Sequence, residues 1–383
     1  MNKTQTARLE GFVLKEAEKF FADKGFVPLF PPKVVRASGA CENINTLFEV
    51  SVDNNHKWFN RNAYLSQTGQ LYLEAMVPSL QKVYCVGPSF RAEEKIDNRH
   101  LTEFTMLEIE FAGNFEELLE YEESLIHHLA QKVSQHPKAQ EDFGLNGKDL
   151  ERLTKCPTKF QRFTYDQAIK KLEALGEDIN WGDDISSQRE KLLLATVDNQ
   201  PLFITHYPDP MYEEHNDIEV EKFFNMLPSK DNPGRVLSSD LILPFGGEAV
   251  GAAARVHILE ELIRRLKNSK MFKRLEAKGG DLDDFGWYIE QIKKNGAVPH
   301  AGCGFGMSRI LQYISGKTNI TEAVTFPSNK GNIIQGTNSS QAQFEISCVQ
   351  VYLTLRVASV VLAVDCILEL QTPPPAQPPL STN

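Results

Sequence analysis

The apolar residues change period along the chain, and each change marks an element. Leu9, Phe12, Val13, Ala17, Phe20 and Phe21 recur at helical spacing, and Gly25 supplies a stop. The next stretch, FVPLFPPKVV, reads as extended, because Pro31 and Pro32 forbid a helix and restrict pairing on one side. A second helix is expected over LSQTGQLYLEAM, with Ser66 or Thr68 as its cap and Leu71, Leu73 and Met76 as its apolar stripe. Around the segment GPSFRAEEKIDNRHLTEFTMLEIEF the pattern becomes alternating. Val83 and Cys85 precede a polar loop and Met106, Ile109 and Phe111 follow it, which predicts a hairpin of two half-buried strands. Residues 115–135 predict a helix with acids early and Lys132 late, as the helix dipole favours. Residues 164–176 predict another, capped by Thr164 and stopped by Gly176. The middle, roughly 145–235, is more polar, and residues 229–234 form a turn-rich loop.

Three clusters carry chemistry. The hairpin loop holds Arg91, Glu93, Arg99, His100 and Glu103. Arginines there suit phosphate oxygens, since the guanidinium forks onto two acceptors; the competing reading is a surface salt-bridge network. In SSDLILPFGGEAVGAAAR, Asp240 and Glu248 flank a short apolar strand and a Gly-Gly bend. Two carboxylates converging from strand ends, with phosphates opposite, suit Mg²⁺, which takes hard oxygen ligands. Glu108 and Arg255 read either as a functional pair or as a buried ion pair.

Composition narrows the setting. The chain has 383 residues, enough for one large domain or two ordinary ones, and a net charge of −10. That balance argues against a generally basic nucleic-acid coat, though not against a local basic groove. The six cysteines show no CxxC pair and no Cys/His metal spacing, so reduced thiols are expected. The N-terminus shows no signal-peptide pattern, and the run from Val349 to Leu370 is broken by Gln350, Arg356, Asp365 and Glu369, which makes it a poor membrane span. A cytoplasmic or mitochondrial protein that does not enter membranes is expected.

The loop cluster resembles motif 2 of the class II aminoacyl-tRNA synthetases of the aspartate, asparagine and lysine subgroup. PHAGCGFGMSR, residues 299–309, resembles motif 3, and the first helix with its proline-rich extension resembles the dimer-forming motif 1. WYIEQIKKNGAVPHAG is especially similar to the asparaginyl branch. The resemblance implies an α+β fold, a mostly antiparallel sheet flanked by helices, over residues 1–334, followed by a divergent tail at 335–383 that could add a strand or stay disordered. It implies ATP and Mg²⁺ as cofactors, and asparagine, the acceptor end of tRNA and a second copy of the chain as partners. Arg91 and Arg309 would be catalytic and hold phosphates, with Glu93, His100, Leu101, Phe104 and Glu248 also at ATP. Asp240 and Glu248 would place the metal. Glu42, Gln70, Glu108 and Arg255 would hold the amino acid. Leu73 stands where aspartate enzymes place a lysine for the substrate carboxylate. Ser308 replaces a usual glutamate, Ser328 replaces a usual arginine, and no segment resembles the family's N-terminal anticodon barrel. Two other readings therefore compete with asparagine activation and transfer to tRNA: an asparagine synthetase that uses ATP and ammonia, and a non-catalytic isoform acting as an interaction protein.

Overall fold

The computed structural model describes residues 1–36, 44–52, 58–60, 62–93, 97–215 and 218–331. The chain divides into two units, Met1–Ile334 and Gln335–Asn383, and all described residues belong to the first. The expectations for Glu42 and for the 335–383 tail lie outside the described residues.

The N-terminal helix is α1 (Lys3–Asp23). It opens with a reciprocal cap: Asn2 Oδ1 accepts the Gln5 N–H at 2.9 Å, and Gln5 Oε1 accepts the Asn2 N–H at 3.0 Å. Leu9, Val13, Ala17 and Phe21 form its fully buried stripe. Gly25, at φ +82°, takes the left-handed conformation that ends the helix. Strand β1 (Val27–Pro28) follows, and β2 (Val34–Val35), β3 (Glu49–Val50) and β4 (Ala63–Leu65) make a small antiparallel sheet in the order β2-β4-β3. Helix α2 (Gln70–Leu80) leads into the expected hairpin, β5 (Lys82–Phe90) and β6 (Glu103–Ala112). The chain continues through α3 (Phe115–Ser134), α4 (Ala139–Phe143), α5 (Gly147–Thr154), β7 (Gln161–Thr164), α6 (Tyr165–Ala174), α7 (Ser187–Ala195) and β8 (Leu202–Thr205). It closes with the hairpin β9 (Ser238–Leu243) and β10 (Gly247–Ala254), helices α8 (Leu259–Asn268), α9 (Lys270–Ala277) and α10 (Gly286–Asn295), strand β11 (His300–Gly306) and helix α11 (Met307–Ser315). Thr164 caps α6 as expected, accepting the Gln167 N–H at 3.2 Å.

Eight strands pair in the order β1-β5-β6-β11-β10-β9-β8-β7. The outer pairs β1–β5 and β7–β8 are parallel and the rest antiparallel, which is the α+β arrangement expected. One face of the sheet, carrying Leu107, Ile109, Phe111, Ala252 and Phe305, packs with Leu9, Phe21, Leu118, Ile126 and Ile310 from α1, α3 and α11. The opposite face packs against α6 to α10 toward the β8 side, where Ile204, Ile242 and Ala253 meet Leu172, Leu193, Leu266 and Tyr288.

The structure corrects one expectation here. β5 and β6 are not half-buried strands with a solvated face. Glu108 and Glu110 alternate with Leu107, Ile109 and Phe111, yet all five are buried. Alternation still separates the two faces, but the acidic face points into the molecule. That face is where the site lies.

Candidate active site

The β5–β6 loop, the inner faces of β6, β10 and β11, and the start of α11 enclose a cavity of about 290 Å³. At one end it is lined by Arg91, Glu93, His100, Leu101, Phe104 and Arg309. Asp240 and Glu248 line its side, and Gln70, Glu108 and Arg255 its other end. Every sequence-predicted site residue among the described residues therefore reaches one space.

The polar loop end is built around arginines. The Arg91 guanidinium sits 5.7 Å from the centre of the Phe104 ring. Asp97 orients His100, with Oδ2 2.7 Å from Nδ1. Arg309 enters from the first turn of α11 and donates to the Glu248 backbone carbonyl. Arg99 lines the same space and pairs with Glu190 of α7 at 2.9 Å. The Gly246–Gly247 bend makes this packing achievable. A Cβ on Gly246 would meet the Arg309 carbonyl oxygen at 2.5 Å, and one on Gly247 would overlap the Arg99 guanidinium and would sit at φ +67°. Burial pushes the Arg309 pKa down; Glu248 opposes this, and the like charges of Arg99 and Arg91 add to it. Such a crowd of cations is relieved by an anion.

Asp240 already has a partner. Lys222 Nζ contacts its two oxygens at 2.8 and 3.1 Å. Burial lifts Asp240 to about 7 against the charge of Lys222, and repulsion from Glu248 contributes. Two carboxylates close enough to repel one another fit a hard divalent cation, so the donor set suits Mg²⁺. Lys222 is then its competitor for Asp240.

At the far end Glu108 and Arg255 do not form the buried ion pair that is one of their two readings. Arg255 forks onto Glu110 instead, with Nη2 at 2.6 Å and Nε at 3.1 Å from Oε1, and donates to the Gly302 carbonyl at 3.0 Å. Strand register is the reason. On β11, Gly302 stands opposite Glu110 and Gly304 opposite Glu108, so an arginine crossing Gly302 meets the former. Glu108 accepts the Gly69 N–H at 2.7 Å, the Thr68 hydroxyl and the Cys85 thiol at 3.6 Å. Its carboxylate and the Arg255 guanidinium both still line the cavity. Leu73 does not line it; it is fully buried with Val77, Val83 and Cys85. The cap of α2 is Gly69, without a side-chain bond, rather than Ser66 or Thr68, although Thr68 Oγ1 accepts the Gln70 N–H at 3.0 Å; of the expected stripe Leu71 and Leu73 are buried and Met76 is only half-buried.

Several site residues were missed from sequence. Glu74, on α2, gathers Tyr288 Oη at 2.6 Å, Asn225 Nδ2 at 2.6 Å, Gln70 Nε2 at 2.8 Å and His300 Nε2 at 3.3 Å. Burial works to raise Glu74, but the hydrogen bond from His300 and the charges of Arg255 and His300 prevail and hold it at about 2. A signal for Glu110 was present, because an acid two residues from Glu108 on a strand shares its face. Lys222, Glu190 and Asn225 carry no local pattern that marks them.

The family described as tRNA synthetases class II (D, K and N) matches residues 2–330. The chain belongs to this family. It is 34% identical over 322 residues to an asparagine–tRNA ligase from Pelotomaculum thermopropionicum, covering 84% of this chain and 68% of that relative. Among solved structures it resembles asparaginyl-tRNA synthetase from Pyrococcus horikoshii complexed with asparaginyl-adenylate, with a TM-score of 0.71 and 31% identity over 86% of this chain and 69% of that one. An asparaginyl-tRNA synthetase from Entamoeba histolytica in complex with asparaginyl-adenylate gives 0.68 and 29%, covering 85% of this chain and 67% of that one.

Proposed function

We infer that this chain is a ligase that activates asparagine with ATP and transfers it to tRNA. The observation that carries the reading is one cavity with cations converging at one end and a Glu108–Arg255 floor at the other. An asparagine carboxylate oxygen bonds to the α-phosphorus of ATP. The bond from that phosphorus to the bridging oxygen breaks, and its electron pair leaves with pyrophosphate. No protein nucleophile is required; orientation and charge neutralisation supply the rate. Arg91 and Arg309 neutralise phosphate charge, with His100 and Leu101 beside them. Phe104 stacks on the adenine and Glu93 accepts from its amino group. Glu248 and Asp240 would hold Mg²⁺, which would supply further neutralisation of the polyphosphate. Gln70 orients the amino acid, a role shared with Glu42 on the family's pattern. A hydroxyl of the terminal tRNA ribose then attacks the activated carbonyl, loses its proton, and AMP departs with the bonding pair.

Side-chain recognition follows from donor and acceptor counting. Glu108 accepts from the carboxamide NH₂ and Arg255 donates to its carbonyl. Aspartate brings a carboxylate against Glu108 and is repelled. A second copy of the chain is the expected partner at the proline-rich extension, where Val27 and Phe30 are 39% and 92% exposed beside a short edge strand. No described helix is long and apolar enough to cross a membrane, and a tRNA substrate fits the expected cytoplasmic or mitochondrial setting. Incubation with ATP, Mg²⁺, asparagine and tRNA for asparagine should give asparaginyl-tRNA with AMP and pyrophosphate. Ammonia-dependent conversion of aspartate to free asparagine instead would overturn the reading.

A further inference from the structure

Beside the Glu108–Arg255 floor a second set of charges begins with Glu110, which also lines the cavity, and continues through Glu74 and His300, which do not; none of the three has a role in the scheme above. Glu110 is 1% exposed and takes Arg255 through two nitrogens, at 2.6 and 3.1 Å. Its place is built into the backbone. Gly302 stands opposite it, and a Cβ there would overlap the Glu110 carboxyl carbon. Next to it, Glu74 is fully ringed by donors. His300 faces two acceptors, the Val298 carbonyl 2.8 Å from Nδ1 and Glu74 3.3 Å from Nε2, an arrangement only the protonated ring satisfies on both sides. His300 is correspondingly raised: burial opposes protonation, but Glu74 and Glu110 outweigh it.

Charges then pair off in layers. His300 offsets Glu74 and Arg255 offsets Glu110, leaving Glu108 to set the sign of the floor. We propose that Glu110 is a specificity-determining positioning residue, which aims the Arg255 guanidinium and cancels its charge so that the floor prefers a neutral carboxamide to a carboxylate. This inference rests on the proposed asparagine reading and names what enforces its selectivity. Without the Glu110 charge, Arg255 stands as an unbalanced cation and a carboxylate substrate gains a partner.

The same layer makes selectivity respond to pH. Burial raises Glu110 to about 7, opposed by Arg255 and reinforced by Glu74. Its neighbours are Glu74 and Tyr288 from the two helices, Glu108 on its own strand, His300 and Cys303 on β11, and Arg255. Tyr288 and Cys303 are raised well above their ordinary values by burial, so both stay neutral near pH 7. Asp240 also reaches about 7 and lines the same cavity, but in the scheme above it serves Mg²⁺ and ATP, which both amino acids share. As pH falls through 7, Glu110 takes a proton, the floor loses one negative charge, and aspartate is penalised less.

The test is ATP–pyrophosphate exchange with asparagine and with aspartate between pH 6 and 8, using the full chain and its Glu110→Gln variant. The expected results are a wild-type ratio of kcat/KM values, asparagine over aspartate, that rises with pH, and a variant ratio about tenfold or more lower at pH 8 with no slope, as loss of one partner of a buried charge pair implies. A purely structural role would lower both amino acids together and leave the ratio intact, which overturns the proposal. A flat wild-type ratio overturns it too, whether or not the variant folds. If the wild-type chain exchanges with neither amino acid, the underlying asparagine reading fails instead.

Discussion

Glu122, on α3, is fully buried, and neither of its carboxyl oxygens has a hydrogen-bond partner among the described residues. Helix α3 packs on β10 and β11, so this carboxyl lies under the strands whose other face carries the site. Burial drives its pKa well above the ordinary value of 4.5, and the charges of Asp240 and Glu123 add to that against Arg162. A carboxyl raised on folding binds a proton that the unfolded chain releases. Its cost is absent below the unfolded pKa and grows by about 1.4 kcal/mol per pH unit above it, until the native group ionises. Glu122→Met removes the charge and both unmatched oxygens in a flexible side chain of similar length. Between pH 5 and 7 the stability gained by the variant should therefore widen by up to about 2.8 kcal/mol, two pH units at that slope. Urea unfolding at the two pH values reads this directly, through midpoints at unchanged slope. A variant less stable than wild type at both values, or a gain independent of pH, would refute the reasoning.

Two further predictions concern the phosphate end. Arg91→Ala should lower adenylation about 10²–10³-fold, the loss on removing one preorganised charge donor, and Arg91→Lys should stay impaired because the fork is lost; normal exchange by folded Arg91→Ala would contradict its role. Glu248→Gln should raise the Mg²⁺ concentration needed for half-maximal exchange several-fold, whereas an unchanged Mg²⁺ dependence would remove Glu248 from the metal site.

The legible parts of the molecule were those written in local patterns. The stripe from Leu9 to Phe21, the cap at Thr164, and the alternation around Met106 to Phe111 are decided by nearby residues, and the structure follows them. The arginine clusters were equally visible, because Arg91, Arg99 and His100 share one loop. What stayed hidden depends on register between distant strands. Sequence pairs Arg255 with Glu108 as readily as with Glu110, and only Gly302 opposite Glu110 decides between them. Lys222 reaches Asp240 from a segment without secondary structure, and Glu190 reaches Arg99 from a helix in the polar middle of the chain. Leu73 is the core residue that its place in the apolar stripe predicts, since α2 offers Gln70 to the cavity and turns Leu73 toward Val83.

On the proposed reading the cavity activates asparagine and rejects aspartate. ATP–pyrophosphate exchange at pH 8, with each amino acid supplied alone at matched concentration, tests it most directly. A site that leaves a buried charge repelled discriminates by a factor on the order of 10⁴, so exchange should be rapid with asparagine and close to background with aspartate. Exchange that is equal for the two, or faster with aspartate, would contradict the account.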